Sequence, residues 1–183
     1  MPVTAETYEQ VALADPEGHW EFHRGRLRRK PDMTQEHNDA ASILGFRLQQ
    51  QLPLDVYRVR VNMARARRDE EHSYIPDVMV VPVAMMARRS DVPGGLERYD
   101  DPLPLVVEVW SPSTGEYDVD EKLPEYMRRG DLEIWRVHPY ERTVTVWRRG
   151  QAGDYTRSEH SAADVIAVSS LPGVTIAVDS LFI

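Results

Sequence analysis

The chain contains no cysteine. Disulfides, thiolate nucleophiles and cysteine–zinc sites are therefore excluded, and a reducing cytoplasm is the expected setting. Lysine is nearly missing as well. Of 22 basic residues in a chain of 183, only Lys30 and Lys122 are lysines and the rest are arginines. Positive charge is also in deficit: 22 basic against 30 acidic residues give a net charge of −8. Such a field repels phosphate on average, so contact with nucleic acid would need local basic patches or bound cations. No apolar run approaches the ~20 residues of a membrane-spanning helix. The longest, VMVVPVAMM after Asp77, is interrupted by proline. The opening MPVTAETYEQ has neither a basic start nor an apolar stretch, so no signal peptide is expected. Repeats and low-complexity linkers are also missing, which leaves one domain over residues 1–183 as the expectation. What remains is an ordinary globular composition, 42% hydrophobic and 28% charged.

Periodicity divides that chain into elements. Thr4 can cap a helix over residues 4–13, with Tyr8, Val11 and Ala12 on one face. Residues 15–18 (DPEG) read as a turn, and 20–24 and 26–30 as hairpin strands around Gly25. Thr34 begins a helix to about residue 51, with a stripe of Ala41, Leu44, Leu48 and Leu52 beside Ile43, and Pro53 ends it. Residues 56–66 alternate as one strand that puts Arg58 and Arg60 on the same face. A charged turn over 69–73 precedes a short apolar strand over 77–81. Residues 84–102 read as a long connection centred on Pro93, Gly94 and Gly95, a length more often functional than idle. The most apolar strand is LVVEVW, 105–110; a helix over 118–129 follows and Gly130 ends it. Residues 134–138 and 143–149 form a hairpin, and weaker strands close the chain. Strand, helix and strand through 103–138 predict one parallel crossover among antiparallel neighbours. The expected fold is α/β, a mixed β-sheet flanked by helices.

Several residues break the pattern around them. Glu108 is a carboxylate between Val107 and Val109 in the strand expected to be central. It must be paired with an arginine, bound to a metal or neutralised. Asp77 follows Pro76 at the start of a strand, as a turn-capping residue or a ligand. Asp118 and Lys122 stand four apart on a helix and share a face; they read as a surface ion pair or as part of a site. Lysine rather than arginine at 122 favours the site, because an ammonium is a compact charge that can approach a phosphoryl oxygen or a water. Alternation turns Glu21 away from Trp20 and Phe22, toward solvent. His37 precedes the apolar stripe of its helix by one turn, the place of a hydrogen-bonded structural histidine or a ligand. Two or three carboxylates can hold Mg²⁺, and a nearby lysine can stabilise developing charge. That chemistry hydrolyses phosphodiesters.

In order along the chain, these residues resemble the PD-(D/E)xK nuclease superfamily, and more closely its Uma-type family of proteins named as restriction endonucleases. WEFHRGRL (20–27), the helix bearing His37, Pro76-Asp77, LVVEVWSPST (105–114), the helix with Lys122, EIWRVHP (133–139), TVTVW (143–147) and LPGVTIAVDSLF (171–182) are similar to it collinearly. The resemblance implies a restriction-endonuclease-like core that binds Mg²⁺, with Mn²⁺ as the substitute, and cleaves DNA with a metal-activated water. Asp77 and Glu108 would ligate the metal with the Val109 carbonyl. Lys122 would be the catalytic lysine, Glu21 an additional acid, and His37 and Asp118 supporting groups. The superfamily's lysine stands two residues after the glutamate, where this chain has Trp110. His23 and His138 also stand where the family has aspartate.

Two other readings compete. Arg24, Arg26 and Arg28, with Arg58 and Arg60, could make basic stripes for DNA on a catalytically silent nuclease fold. Tyr140, Trp147 and Tyr155 on the late hairpins could form the patch of a homodimeric scaffold.

Overall fold

Two threonines start the first two helices. Thr4 Oγ1 accepts from the Thr7 amide at the head of α1 (Ala5–Ala14), and Thr34 Oγ1 accepts from the His37 amide at the head of α2 (Gln35–Gln51). Each satisfies an amide that a helix start leaves unpaired. The stripe of α2 is buried as its spacing requires, and His37 extends the line of Ala41, Leu44 and Leu48. Between the helices, β1 (Trp20–His23) and β2 (Arg26–Arg29) form the hairpin, with His23 opposite Arg26. Arg24 and Gly25 have φ of 49° and 72°, the left-handed pair that a two-residue turn needs and that glycine adopts without strain. The computed structural model describes residues 3–87 and 94–182.

The later strands are β3 (Tyr57–Val61), β4 (Arg65–Asp69), β5 (His72–Tyr74), β6 (Val78–Pro82), β7 (Arg98–Tyr99), β8 (Leu105–Val109), β9 (Glu133–His138), β10 (Thr143–Arg149), β11 (Tyr155–His160), β12 (Val165–Ala167) and β13 (Thr175–Ala177). Among the described residues they form three sheets: β2-β1-β5-β4-β7, β11-β10-β9-β8-β6-β3, and the ribbon β12-β13. The crossover is where the pattern placed it. β8 and β9 pair in parallel, while β6 and β10 flank them antiparallel.

Three expectations change. The strand over 56–66 is two strands, because the chain turns at Asn62 with φ 52° and sends β3 and β4 into different sheets. Alternation alone does not reveal that break, since a left-handed asparagine leaves the polar–apolar order intact. The charged turn is shorter than expected: His72 and Ser73 belong to β5, which pairs with β4. The connection over 84–102 holds α3 (Val83–Ala87) and β7, which adds to β4 in parallel. Residues 88–93 of that connection, Pro93 included, lie outside the described residues.

Every residue of β8 is buried, which explains a near-continuous apolar strand. Leu105, Val107 and Val109 join a core with α2 and the chain's last elements, including Ile166, Leu171, Ile176 and Leu181. Val106 joins a second core with Met79, Tyr99, Tyr126 and Ile134. Trp147 and Tyr155 pack against this second core, and the Tyr155 hydroxyl donates to the Asp131 carbonyl at 2.6 Å. Only Tyr140 of the expected aromatic patch is exposed, so that surface does not form as the sequence suggested. Among the described residues, no helix is long and apolar enough to cross a membrane.

Candidate active site

Strand alternation aims Glu108 out of β8 on the side of Val106, toward the helical segment that follows. That segment comprises α4 (Gly115–Tyr117), a π-helical turn (Asp118–Lys122) and α5 (Leu123–Arg129). In the π turn the Leu123 amide bonds to the Asp118 carbonyl, five residues back. Pro124, which has no amide hydrogen, follows directly, a position where a regular helix would lose a bond. Lys122 Nζ lies 2.8 Å from Glu21 Oε1 and 3.3 Å from both Glu108 Oε1 and Asp118 Oδ1. The Tyr126 hydroxyl donates to Glu108 Oε1 at 2.5 Å.

Glu21 is 1% exposed, not solvent-facing as its strand pattern suggested. Both faces of β1 are covered. Phe22 stacks on Tyr8 of α1 at 5.0 Å, and on the other side Glu21 accepts from the Ile75 amide at 2.9 Å and meets Lys122.

The carboxylate of Asp77, just before β6, accepts three hydrogen bonds. Its Oδ1 accepts from Lys30 Nζ at 2.7 Å; its Oδ2 accepts from the Val109 amide at 2.6 Å and from His37 Nε2 at 3.0 Å. Lys30 also donates to Asn62 Oδ1 at 2.7 Å and to the Ile75 carbonyl at 2.9 Å. All the residues proposed from sequence therefore meet in one cluster, and Lys30, Asn62 and Tyr126 join them. Two of these carried an unused signal. Lys30 is one of only two lysines, and Tyr126 continues the four-residue spacing of Asp118 and Lys122.

The carboxyls are not equivalent. Burial raises Glu108 well above the usual carboxylate range, with Lys122 opposing and Asp118 and Asp77 adding to the rise. Burial also raises Asp118, again against the pull of Lys122. At Asp77 burial acts upward, but the Lys30 charge and the His37 hydrogen bond reverse it and hold the group below its ordinary value. Burial alone would lower Lys122, yet Glu108, Glu21 and Asp118 raise it well above an ordinary lysine, so it stays an ammonium. Tyr126 is raised by burial and by Glu108 and remains a phenol donor.

The donor set suits a hard cation in chemistry: it is all oxygen, and Glu108 Oε2 is buried without a hydrogen-bond partner. Among the described residues, no group of three or more His, Asp or Glu is arranged to hold a metal ion as it stands. Two ammoniums lie among the carboxylates instead, and the space they enclose does not admit a water. That space shares Lys30, Pro31 and Met33 with an open cleft of ≈ 270 Å³.

Around the site, Arg28 sits 3.5 Å over the Tyr117 ring, and Trp110 stacks on His138 at 4.4 Å with Tyr140 edge-on at 5.7 Å. The basic stripes are partly consumed: Arg24 pairs with Glu121 at 3.3 Å and Arg60 with Glu97 at 2.8 Å, while Arg26 and Arg28 stay exposed.

A family model described as "Uma2: Putative restriction endonuclease" matches residues 5–179. The chain belongs to the Uma2 family. A crystal structure described as a "putative nuclease belonging to DUF820" from Anabaena variabilis ATCC 29413 is similar over 98% of this chain and 97% of that one. Its TM-score is 0.77 at 20% sequence identity, which establishes a shared fold. No curated protein matches. In this Uma2 chain the family match covers every member of the buried cluster, from Glu21 through Tyr126.

Proposed function

We propose that this Uma2 protein is an endonuclease that hydrolyses DNA phosphodiester bonds with a divalent cation, Mg²⁺ or Mn²⁺. The observation that carries the reading is Glu108. It is a buried carboxylate with one oxygen on Tyr126 and Lys122 and the other without a hydrogen-bond partner, one strand away from Asp77. Asp77, Glu108 and the Val109 carbonyl would hold the ion. When bound, the ion polarises a phosphoryl oxygen and makes hydroxide available near neutral pH. Lys122 holds a proton-saturated ammonium among three carboxyls, where it can stabilise negative charge developing on the phosphate. Glu21 and Asp118 position that ammonium, and His37 orients Asp77. Exposed Arg26 and Arg28 supply phosphate contacts beside the site.

Cleavage of supercoiled plasmid with Mg²⁺ or Mn²⁺ tests this. Asp77→Asn, Glu108→Gln and Lys122→Met should each lose roughly 10²–10³-fold in rate, the usual cost of removing one group that stabilises transition-state charge. Circular dichroism should stay native. Wild-type rates in any of the three would overturn its assignment. The pairing of Asp77 with the Lys30 ammonium favours a second reading, a silent nuclease fold that binds DNA or serves as a homodimeric scaffold. It expects no cleavage; the DNA-binding form would bind DNA in a way that weakens with salt and ignores Mg²⁺, and the scaffold form would bind none.

A further inference from the structure

We propose that Lys30 is the site's resident cation: it closes the metal-free site on Asp77, and a divalent ion enters by displacing it. The inference rests on the metal reading above and adds the route by which the ion is received.

The acceptors of Lys30 are a carboxylate oxygen of Asp77, the amide oxygen of Asn62 and the carbonyl of Ile75, at 2.7, 2.7 and 2.9 Å. Three converging oxygens of these kinds are what a hard cation recruits from a protein. Here an ammonium with a 7%-exposed side chain collects them. Oδ2 already accepts from His37 and the Val109 amide, so Oδ1 is the Asp77 oxygen left to an incoming ion, and the Lys30 ammonium stands against it at 2.7 Å. Lys122 holds the Glu21, Glu108 and Asp118 side of the cluster in the same way. The two lysines differ in what surrounds them. Lys122 is enclosed within a helical segment. Lys30 ends the β2 hairpin arm and leads the short connection to α2, and it lines the open cleft as well as the closed space. Its ammonium can swing on a flexible four-carbon stem into that cleft, which Asp32 also lines. Exchange of a single positive charge for a double one suits a cluster of four carboxyls and two ammoniums. A chain that otherwise uses arginine for its positive charge places both lysines here. A planar guanidinium with five donors is poorly suited to being expelled from a three-oxygen cradle.

Two measurements test this on the full chain. In the first, the wild-type protein is treated briefly with an amine-acetylating reagent, with and without Mn²⁺, and Lys30 and Lys122 are followed by peptide mass spectrometry. Lys30 should react several-fold faster with Mn²⁺, while Lys122 stays protected. In the second, calorimetry compares Mn²⁺ binding to wild type and Lys30→Met. If Lys30 occupies Asp77 in about nine molecules in ten, its removal tightens the apparent Kd about tenfold. Binding by Lys30→Met alone would support the proposal more strongly still. Mn²⁺ binding by wild type with unchanged Lys30 labelling, or with equal affinity in Lys30→Met, would overturn the proposal and leave the metal reading standing. No binding by either protein would overturn both. Should Lys30→Met fail to fold, wild-type labelling decides alone, because it needs no variant.

Discussion

At Glu108, burial and the ammonium of Lys122 pull in opposite directions, and burial wins. The folded state therefore holds the Glu108 proton more tightly than the unfolded chain does. The stabilisation this gives is complete below the unfolded pKa, near 4.5, and fades as pH rises toward the folded value. A glutamine of the same shape feels no such loss. The melting temperature of Glu108→Gln should therefore gain on wild type between pH 5 and pH 8, at about 2–4 °C per kcal/mol for a chain of this size. An equal difference at both pH values would show that burial does not govern this group. The same residue illustrates what a sequence makes legible. Glu108, Asp77 and Lys122 each depart from their local surroundings, as a carboxylate in an apolar strand, an aspartate at a strand start and a lysine among arginines. Lys30 shares that rarity, but its surroundings hide its role. It ends a polar, arginine-rich strand that reads as ordinary surface, and its carboxylate partner is 47 residues away. Only the closing of one sheet on the other makes it a buried ion pair.

At the scale of elements, the segment 115–129 brings Asp118, Lys122 and Tyr126 to the site and packs against an aromatic support. Trp110 crosses the start of α4 so closely that a Cβ on Gly115 would lie 2.0 Å from its Nε1. The indole also stacks on His138 and meets the ring of Tyr140 edge-on. Gly115→Ala should cost roughly 1–3 kcal/mol, the range for overpacking a well-filled interior. That cost reads as a lower melting temperature, accompanied by a change in tryptophan fluorescence. An unchanged melting temperature would mean that the indole yields easily. Element type was legible wherever apolar spacing was regular, as in α2, β8 and the β9–β10 hairpin. Boundaries were not legible where one backbone angle decides them. Asn62 divides a continuous alternation through its φ alone, and the π turn at Asp118 changes the closure of a helix without changing which residues are apolar.

At the scale of the whole molecule, a net charge of −8 opposes DNA, so attraction must be local. The exposed arginines of β2 are the nearest source, and Arg28 stands over Tyr117 beside the cluster. Arg28→Ala should weaken DNA binding across sequences and flatten the plot of log K against log salt by about 1, the share of a single neutralised phosphate. An unchanged slope in a fluorescence-anisotropy titration would place the DNA elsewhere. Collinear family motifs made the overall class legible in the sequence, but the partition into two larger sheets depends on long-range pairing that periodicity does not encode.

The last elements of the chain bear on how the protein is made. Ile166, Val168, Leu171, Val174, Ile176, Val178 and Leu181 fill the same interior that α2 shares with β6, β8, β9 and β10. During synthesis that interior has one wall missing until residue 181 has cleared the ribosome. Until then the nascent chain would carry the apolar face of α2 and one side of the six-stranded sheet uncovered, the state in which chaperones bind and aggregation begins. A stalled intermediate ending near residue 160 should accordingly be protease-sensitive, with protection arriving late and in a single step.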